Sequence, residues 1–203
     1  MKLRFLLVGI AIGIVSVILL GQVAAQEGGE GGMGMQPPAW TKLTKEHERF
    51  NERVGEWDYT MKLWMAPGAP PSEGRGTTSA KLLWNGNYLY EESNGSFDWG
   101  GQRVPFEGRL IQGYDTITKE YVSVWMDSFS PIMGISRGTY EDGAVTFHSE
   151  EPDHLNPAGA KKKVKVVARH DSKDKHTVTF YDVKPDGDVK TGEIVYTRKK
   201  SAE

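Results

Sequence analysis

Between Glu56 and Arg198 the chain reads as about ten short β-rich runs, separated at nearly regular spacing by turn residues, with no helical pattern between them. That succession constrains the fold more than any other feature. Trp57, Tyr59, Met61 and Leu63 alternate with Asp58, Thr60 and Lys62, and Val164, Val166 and Ala168 alternate with Lys163, Lys165 and Arg169, the period of half-buried strands. Asn85-Gly86, Asp142-Gly143 and Pro185-Asp186-Gly187 supply the turns. Many short strands with turn signals and no crossover helices predict an all-β, closed antiparallel up-and-down barrel of about ten strands. Closure also removes exposed strand edges.

The hairpin from Phe106 to Phe129 is the most informative part. Its second strand puts Tyr121, Ser123, Trp125 and Asp127 on one face and Val122, Val124, Met126 and Ser128 on the other. Neither face is plainly polar, as expected for a barrel wall with an aromatic and a carboxylate on its inside; the alternative parity turns Val122, Val124 and Met126 inward and moves Trp125 and Asp127 outside. Before the strands, Leu43, His47, Phe50 and Val54 recur at helical spacing, which predicts one N-terminal amphipathic helix begun at Thr41 or Thr44 and stopped at Gly55. His47 lies on its apolar stripe and Arg53 on its outer surface. Ser93 to Gln102 and Ala66 to Gly76 read as loops, and His170 and His176 as exposed neighbours of a polar turn.

The first residues carry a different signal. Lys2 and Arg4 precede an apolar run from Phe5 to Leu20 and a small-residue site at Val23-Ala24-Ala25. This is the layout of a secretory signal peptide over 1–25, with cleavage before Gln26. A Gly/Pro-rich linker over 26–39 and a barrel domain over 40–203 follow. Export to the periplasm or beyond is the expectation. Cleavage leaves 23 basic and 27 acidic residues, a net charge of −4, without the basic field that nucleic acid requires. The chain has no cysteine, which excludes disulfides, thiolate catalysis and lipid attachment at the cleavage site.

Gly55-x-Trp57 opens the first strand, and Ile194, Tyr196 and Arg198 share a face of the last, so in a closed barrel Arg198 can lie on the Trp57 ring. This pairing resembles the closing signature of the lipocalin-like, or calycin, barrels. A wider set of motifs extends the resemblance. Gly55-x-Trp57, Trp84-Asn85-Gly86-Asn87-Tyr88-Leu89, Phe106-x-Gly108, Gly113-Tyr114-Asp115, Tyr121-Val122-x-x-Trp125-Met126-Asp127-Ser128 and Tyr196-Thr197-Arg198 resemble, in that order, a bacterial family of unknown function, number fifteen-seventy-nine. The similarity spans roughly Lys45 to Lys199. Trp84-Asn85-Gly86-Asn87 stands where that family often has Leu-Gly-Gly-Arg. The resemblance implies a lipocalin-like fold and no particular activity. Nitrobindin-like haem barrels also open with Gly-x-Trp, but the final strand here offers no proximal histidine, and no cofactor is expected.

The expected ligand site is the barrel interior, holding a small apolar molecule in a monomer. Tyr59, Tyr121, Trp125 and Tyr196 are its expected walls, and Asp127 and Arg109, with Arg137 as a further candidate, its polar anchors. The competing reading of Asp127 is a brace for the turn at Ser128 to Pro131. Two other functions fit the sequence: an enzyme using Asp127 with Tyr114 or His148 for proton transfer or hydrolysis, and a filled barrel acting through its rim. His148, Glu150, Glu151, Asp153 and His154 lack the spacing of a metal motif, and no metal site is expected.

Overall fold

A computed structural model describes residues 36–66, 68–153 and 160–200. The expected signal peptide over 1–25 and most of the expected linker, like His154, lie outside the described residues. Ten antiparallel strands follow one another: β1 (Gly55–Leu63), β2 (Ser72–Leu83), β3 (Tyr88–Trp99), β4 (Gln102–Asp115), β5 (Glu120–Asp127), β6 (Gly134–Glu141), β7 (Ala144–Pro152), β8 (Lys161–Ser172), β9 (Lys175–Lys184) and β10 (Gly187–Arg198). Each pairs with its neighbours in sequence, and β1 pairs with β10, closing the barrel. Among the described residues no helix is long and apolar enough to cross a membrane.

The predicted helix is shorter than its apolar spacing suggests. One α-helical turn, α1 (Lys45–Glu48), passes directly into a 3₁₀ turn over Arg49–Glu52. Its start is held by His47, whose Nδ1 accepts a hydrogen bond from the Thr44 backbone N–H at 3.1 Å. Phe50, 2 % exposed, drops into the barrel end among Ala80, Leu89, Tyr121 and Phe147. Burying that ring contributes about 1.5–3 kcal/mol and makes the segment a plug. Leu43 stays outside the helix and is exposed.

Two expected loops are strand. β3 runs through Asn94-Gly95-Ser96, and β2 begins at Ser72 and contains Gly74 and Gly76. Gly76 and Gly95 face each other across the β2–β3 ladder, beside Tyr59 on β1. A Cβ on either glycine would stand within 2.6 Å of the Tyr59 hydroxyl and closer still to backbone oxygen. These glycines are therefore clearance for an inward tyrosine. In sequence they look like turn residues, because glycine serves both purposes.

The seam between β1 and β10 aligns Trp57 with Arg198. The Arg198 guanidinium lies 4.0 Å from the Trp57 ring centroid, donates to the carbonyl of Val54 at 2.7 Å, and reaches that of Glu52. Trp57 in turn donates from Nε1 to the carbonyl of Arg53 at 2.8 Å. First strand, last strand and plug are thus tied at one point. Gly55 permits it, since its φ is +123° and a Cβ there would stand 2.6 Å from the Arg198 Nη1. Gly55→Ala should cost about 1–3 kcal/mol, read as a lower urea midpoint. An unchanged midpoint would show that the seam does not depend on this approach.

Candidate functional site

The plug closes one end of the barrel, so the interior opens at the other, where β3 and β4 meet at Trp99 and β5 ends at Asp127. A cavity of about 410 Å³ runs between them, within the roughly 300–1,000 Å³ of ordinary small-molecule sites. Its geometry follows from strand parity. On β5 Ser123, Trp125 and Asp127 line the cavity, which settles the parity that alternation left open: Val122, Val124 and Met126 take the other face.

Trp125 is the central wall residue. Its ring lies over Gly108, where a Cβ would come within 2.3 Å, and stacks at 19° on Phe106 with centroids 6.2 Å apart. The Phe106-x-Gly108 motif is thus the seat of Trp125. Phe97 meets Phe106 edge to face, and Phe129 closes against Phe97 and Trp99 at the rim. Across the barrel, Val166, Val178, Phe180 and Ile194 complete the apolar lining.

Tyr59 and Tyr196 line the cavity and are almost fully buried, and burial raises both phenols above their usual range. Tyr121 shares the inward face but stands at the plugged end, 1 % exposed, packed on Phe50 and Tyr114 and donating to the carbonyl of Glu46 at 3.0 Å. It borders a separate hollow of about 50 Å³ beneath the plug and does not line the main cavity.

Asp127 reaches the cavity mouth and braces its own turn. Its carboxylate accepts from Trp125 Nε1 at 2.8 Å and from the backbone N–H groups of Phe129 and Ser130 at 3.0 and 2.9 Å. The group expected as an anchor thereby fixes the Trp125 ring and the rim loop. Arg109 is not inside. Gly108, Leu110 and Gln112 take the inward positions of β4, so Arg109 points outward and pairs with Glu92 at 3.2 Å and Glu107 at 3.5 Å. Arg137 is likewise on the outer face, 3.4 Å from Glu120.

Neither partner proposed for acid–base work stands with Asp127. Phe147, Ser149 and Glu151 face inward on β7, which turns His148 and Glu150 outward. Tyr114 sits at the plugged end against His47. The acidic and imidazole groups of β7 are split between faces for the same reason, and the described residues hold no cluster of three or more metal-ligand side chains.

Three polar features of the interior escaped the sequence reading. The first is an ion pair at the cavity floor: Arg53 Nη2 lies 2.7 Å from Oε1 of Glu91 and 2.9 Å from Oε2. Burial pushes the Glu91 carboxyl above its usual range, and the guanidinium offsets part of this. Arg53 reads as a surface residue by helical spacing and turns inward because the helix ends early in a 3₁₀ turn. The second is His176, which inward alternation on β9 places at 4 % exposure. Its ring stacks on Tyr196 at 4.2 Å and meets Trp57 edge on at 4.4 Å. Burial holds its pKa down at about 2, with the charge of Arg53 adding to the effect.

The third is a row of polar side chains. Gln112 pairs with Ser123 and Ser123 with Ser136 across β4, β5 and β6. Ser149 continues the row on β7, one residue on from the Arg137–His148 pair. All four line the cavity. A polar residue at an inward position of an otherwise apolar strand was the available signal.

The family model described as "Protein of unknown function (DUF1579)" matches residues 42–198. No curated protein matches the chain. Among solved structures, an S-type phycobiliprotein lyase from Guillardia theta is similar, with 14% sequence identity and a TM-score of 0.52 over 82% of this chain and 100% of that one. At that identity the likeness shows the fold alone, a lipocalin-like barrel.

Proposed function

The chain belongs to the DUF1579 family of proteins of unknown function, and from that premise we propose that it is an exported protein binding a small, largely apolar molecule inside the barrel. The observation that carries the reading is the 410 Å³ cavity walled by Trp125, Phe106, Phe97 and Tyr59. Aromatic walls with a few placed polar groups suit recognition of an apolar body by burial and stacking. The glycines at 76, 95 and 108 seat two of these walls, since a side chain at any of them would collide with the Tyr59 hydroxyl or the Trp125 ring.

Export is supported by the basic start, apolar run and small-residue site of residues 1–25. N-terminal sequencing of the protein recovered from its source should read from Gln26. An intact Met1 on the recovered protein would count against export by cleavage.

Binding is tested with the uncharged dye N-phenyl-1-naphthylamine. The expected result is a saturable rise in dye fluorescence at one dye per chain, with energy transfer from tryptophan. No saturable binding would overturn the cavity reading. Native mass spectrometry after gentle purification should retain a recurring small-molecule mass, which release under denaturing conditions would identify.

A further inference from the structure

The cavity has two unlike sides, and the contrast selects a ligand. Strands β8 to β10 present Val166, Val178, Phe180 and Ile194, while β4 to β7 present the row Gln112, Ser123, Ser136 and Ser149. In the ten-stranded ring β4 and β5 stand across from β9 and β10, and the two arcs meet at the β7–β8 ladder. At a strand spacing of about 4.8 Å, the row runs for about 14 Å around the wall.

Three of its four members are not engaged with the protein. Ser149 donates to Glu151 at 3.0 Å, but the side chains of Gln112, Ser123 and Ser136 make no hydrogen bond among the described residues. Gln112 is 5 % exposed, and its amide, with two donors and an acceptor, borders the cavity without a protein partner. A ligand that covers such groups takes away their water and must return a hydrogen bond to each. Side by side, three such groups would meet a hydrogen-bonding edge along the length of a molecule.

The charges around the cavity narrow the class. Arg53 is the one basic residue among the described lining residues, and Glu91 holds it. The acidic residues of the lining are Glu91, Asp127 and Glu151. A ligand carboxylate would lose water without gaining a free cation. An ammonium group would find Asp127 already accepting from Trp125, Phe129 and Ser130, and Glu151 accepting from Ser149. Resting on the cavity reading above, we propose that the ligand is an uncharged amphiphile, an elongated apolar body carrying hydroxyl, ester or amide groups that bind the Gln112–Ser123–Ser136 row.

The test is competition against N-phenyl-1-naphthylamine at pH 7.5 by three molecules sharing a twelve-carbon chain: monododecanoylglycerol, dodecanoate and dodecylammonium. The monoglyceride should displace the dye at about tenfold lower concentration than either ion. Gln112→Leu should lower the monoglyceride-to-dye affinity ratio about tenfold, since the ligand loses its hydrogen bonds to a buried amide. The dye serves as internal reference for a folded cavity. If Gln112→Leu does not fold, the paired Ser123→Ala and Ser136→Ala substitutions should shift the same ratio in the same direction. Equal competition by all three heads, preference for either ion, or a ratio unmoved by the variants would overturn the proposal and leave the cavity reading standing. Failure of the dye to bind the unaltered protein would overturn both.

Discussion

Replacing Arg53 by Met is expected to destabilise the protein by about 3–5 kcal/mol, because it strands the buried Glu91 carboxylate without its counter-charge. The Glu91 side chain is 4 % exposed and that of Arg53 16 %, so water cannot take over the interaction. The loss should not come from packing, since Met keeps most of the arginine stem. The backbone carbonyl of Arg53 also still receives Trp57 Nε1. The comparison that isolates the charge is the double variant Arg53→Met with Glu91→Met, which should recover most of the loss, because the pair's desolvation cost disappears along with its attraction.

The pH dependence gives a second readout. Without Arg53, burial acts on Glu91 unopposed and raises its pKa further. A carboxyl group raised in the folded state is stabilising below its unfolded value, ordinarily 4.5, and that contribution is lost as pH rises through the folded value. Relative to the unaltered protein, Arg53→Met should therefore regain stability on acidification toward pH 4.5. Urea midpoints for the four proteins of the cycle at two pH values decide the matter. A double variant no more stable than either single variant would mean that the pair holds the plug by geometry and not by charge.

The second large effect concerns acid. His176 has an ordinary pKa of 6.5 and a folded value of about 2, so the unfolded chain takes up a proton below pH 6.5 that the native protein refuses. For a base depressed in this way, stability is fully present above pH 6.5 and is lost as pH falls. The slope is about 1.4 kcal/mol per pH unit, or about 2–3 kcal/mol between pH 6.5 and 4.5. His176→Phe keeps the stack on Tyr196 and the edge contact with Trp57 while removing the titrating group. It also removes Nδ1, which is buried without a hydrogen bond. The variant should match or exceed the native stability at pH 7 and surpass it by about 2–3 kcal/mol at pH 4.5. Parallel pH profiles for the two proteins would show that His176 titrates normally and that acid sensitivity lies elsewhere.

Much of this architecture is local chemistry that a sequence displays. Alternation along Trp57 to Leu63 and Val164 to Arg169, together with the Asn85-Gly86 and Asp142-Gly143 turns, specifies strands and hairpins. A strand's period of two sorts its residues into two faces, which is why the faces of the 120–127 segment were legible; that Ser123, Trp125 and Asp127 line the cavity, and not Val122, Val124 and Met126, is decided by the closed barrel. The seam between Gly55-x-Trp57 and Arg198 was readable as well, because closing an up-and-down barrel makes neighbours of its first and last strands.

Other features depend on which residues meet across the barrel. Glycines 74, 76 and 95 punctuate a sequence like turns, and only the arrival of Tyr59, Met61 and Phe97 beside them shows that they are clearances within strands. Arg109 looks like an interior anchor until the parity of β4 is counted, when Gly108, Leu110 and Gln112 take the inside. Asp127 has the right face for a ligand contact, yet the indole two residues away and the turn after it claim its oxygens first. Arg53 and Glu91 lie 38 residues apart with no pattern linking them, and the early end of the helix brings them together.

By itself, then, the sequence determined the number and order of strands, the hairpin turns, the seam of the barrel and which residues of β5 share a face, since each follows from neighbouring residues or from closure alone; which of those faces is inward only the closed ring decided. The tertiary structure decided that the interior is a cavity, that its floor is an Arg53–Glu91 pair beside a buried His176, and that Gln112, Ser123 and Ser136 form one unmatched row. Those properties depend on shear, plug depth and side-chain size summed around the ring, and such a sum exists only once the ring is closed.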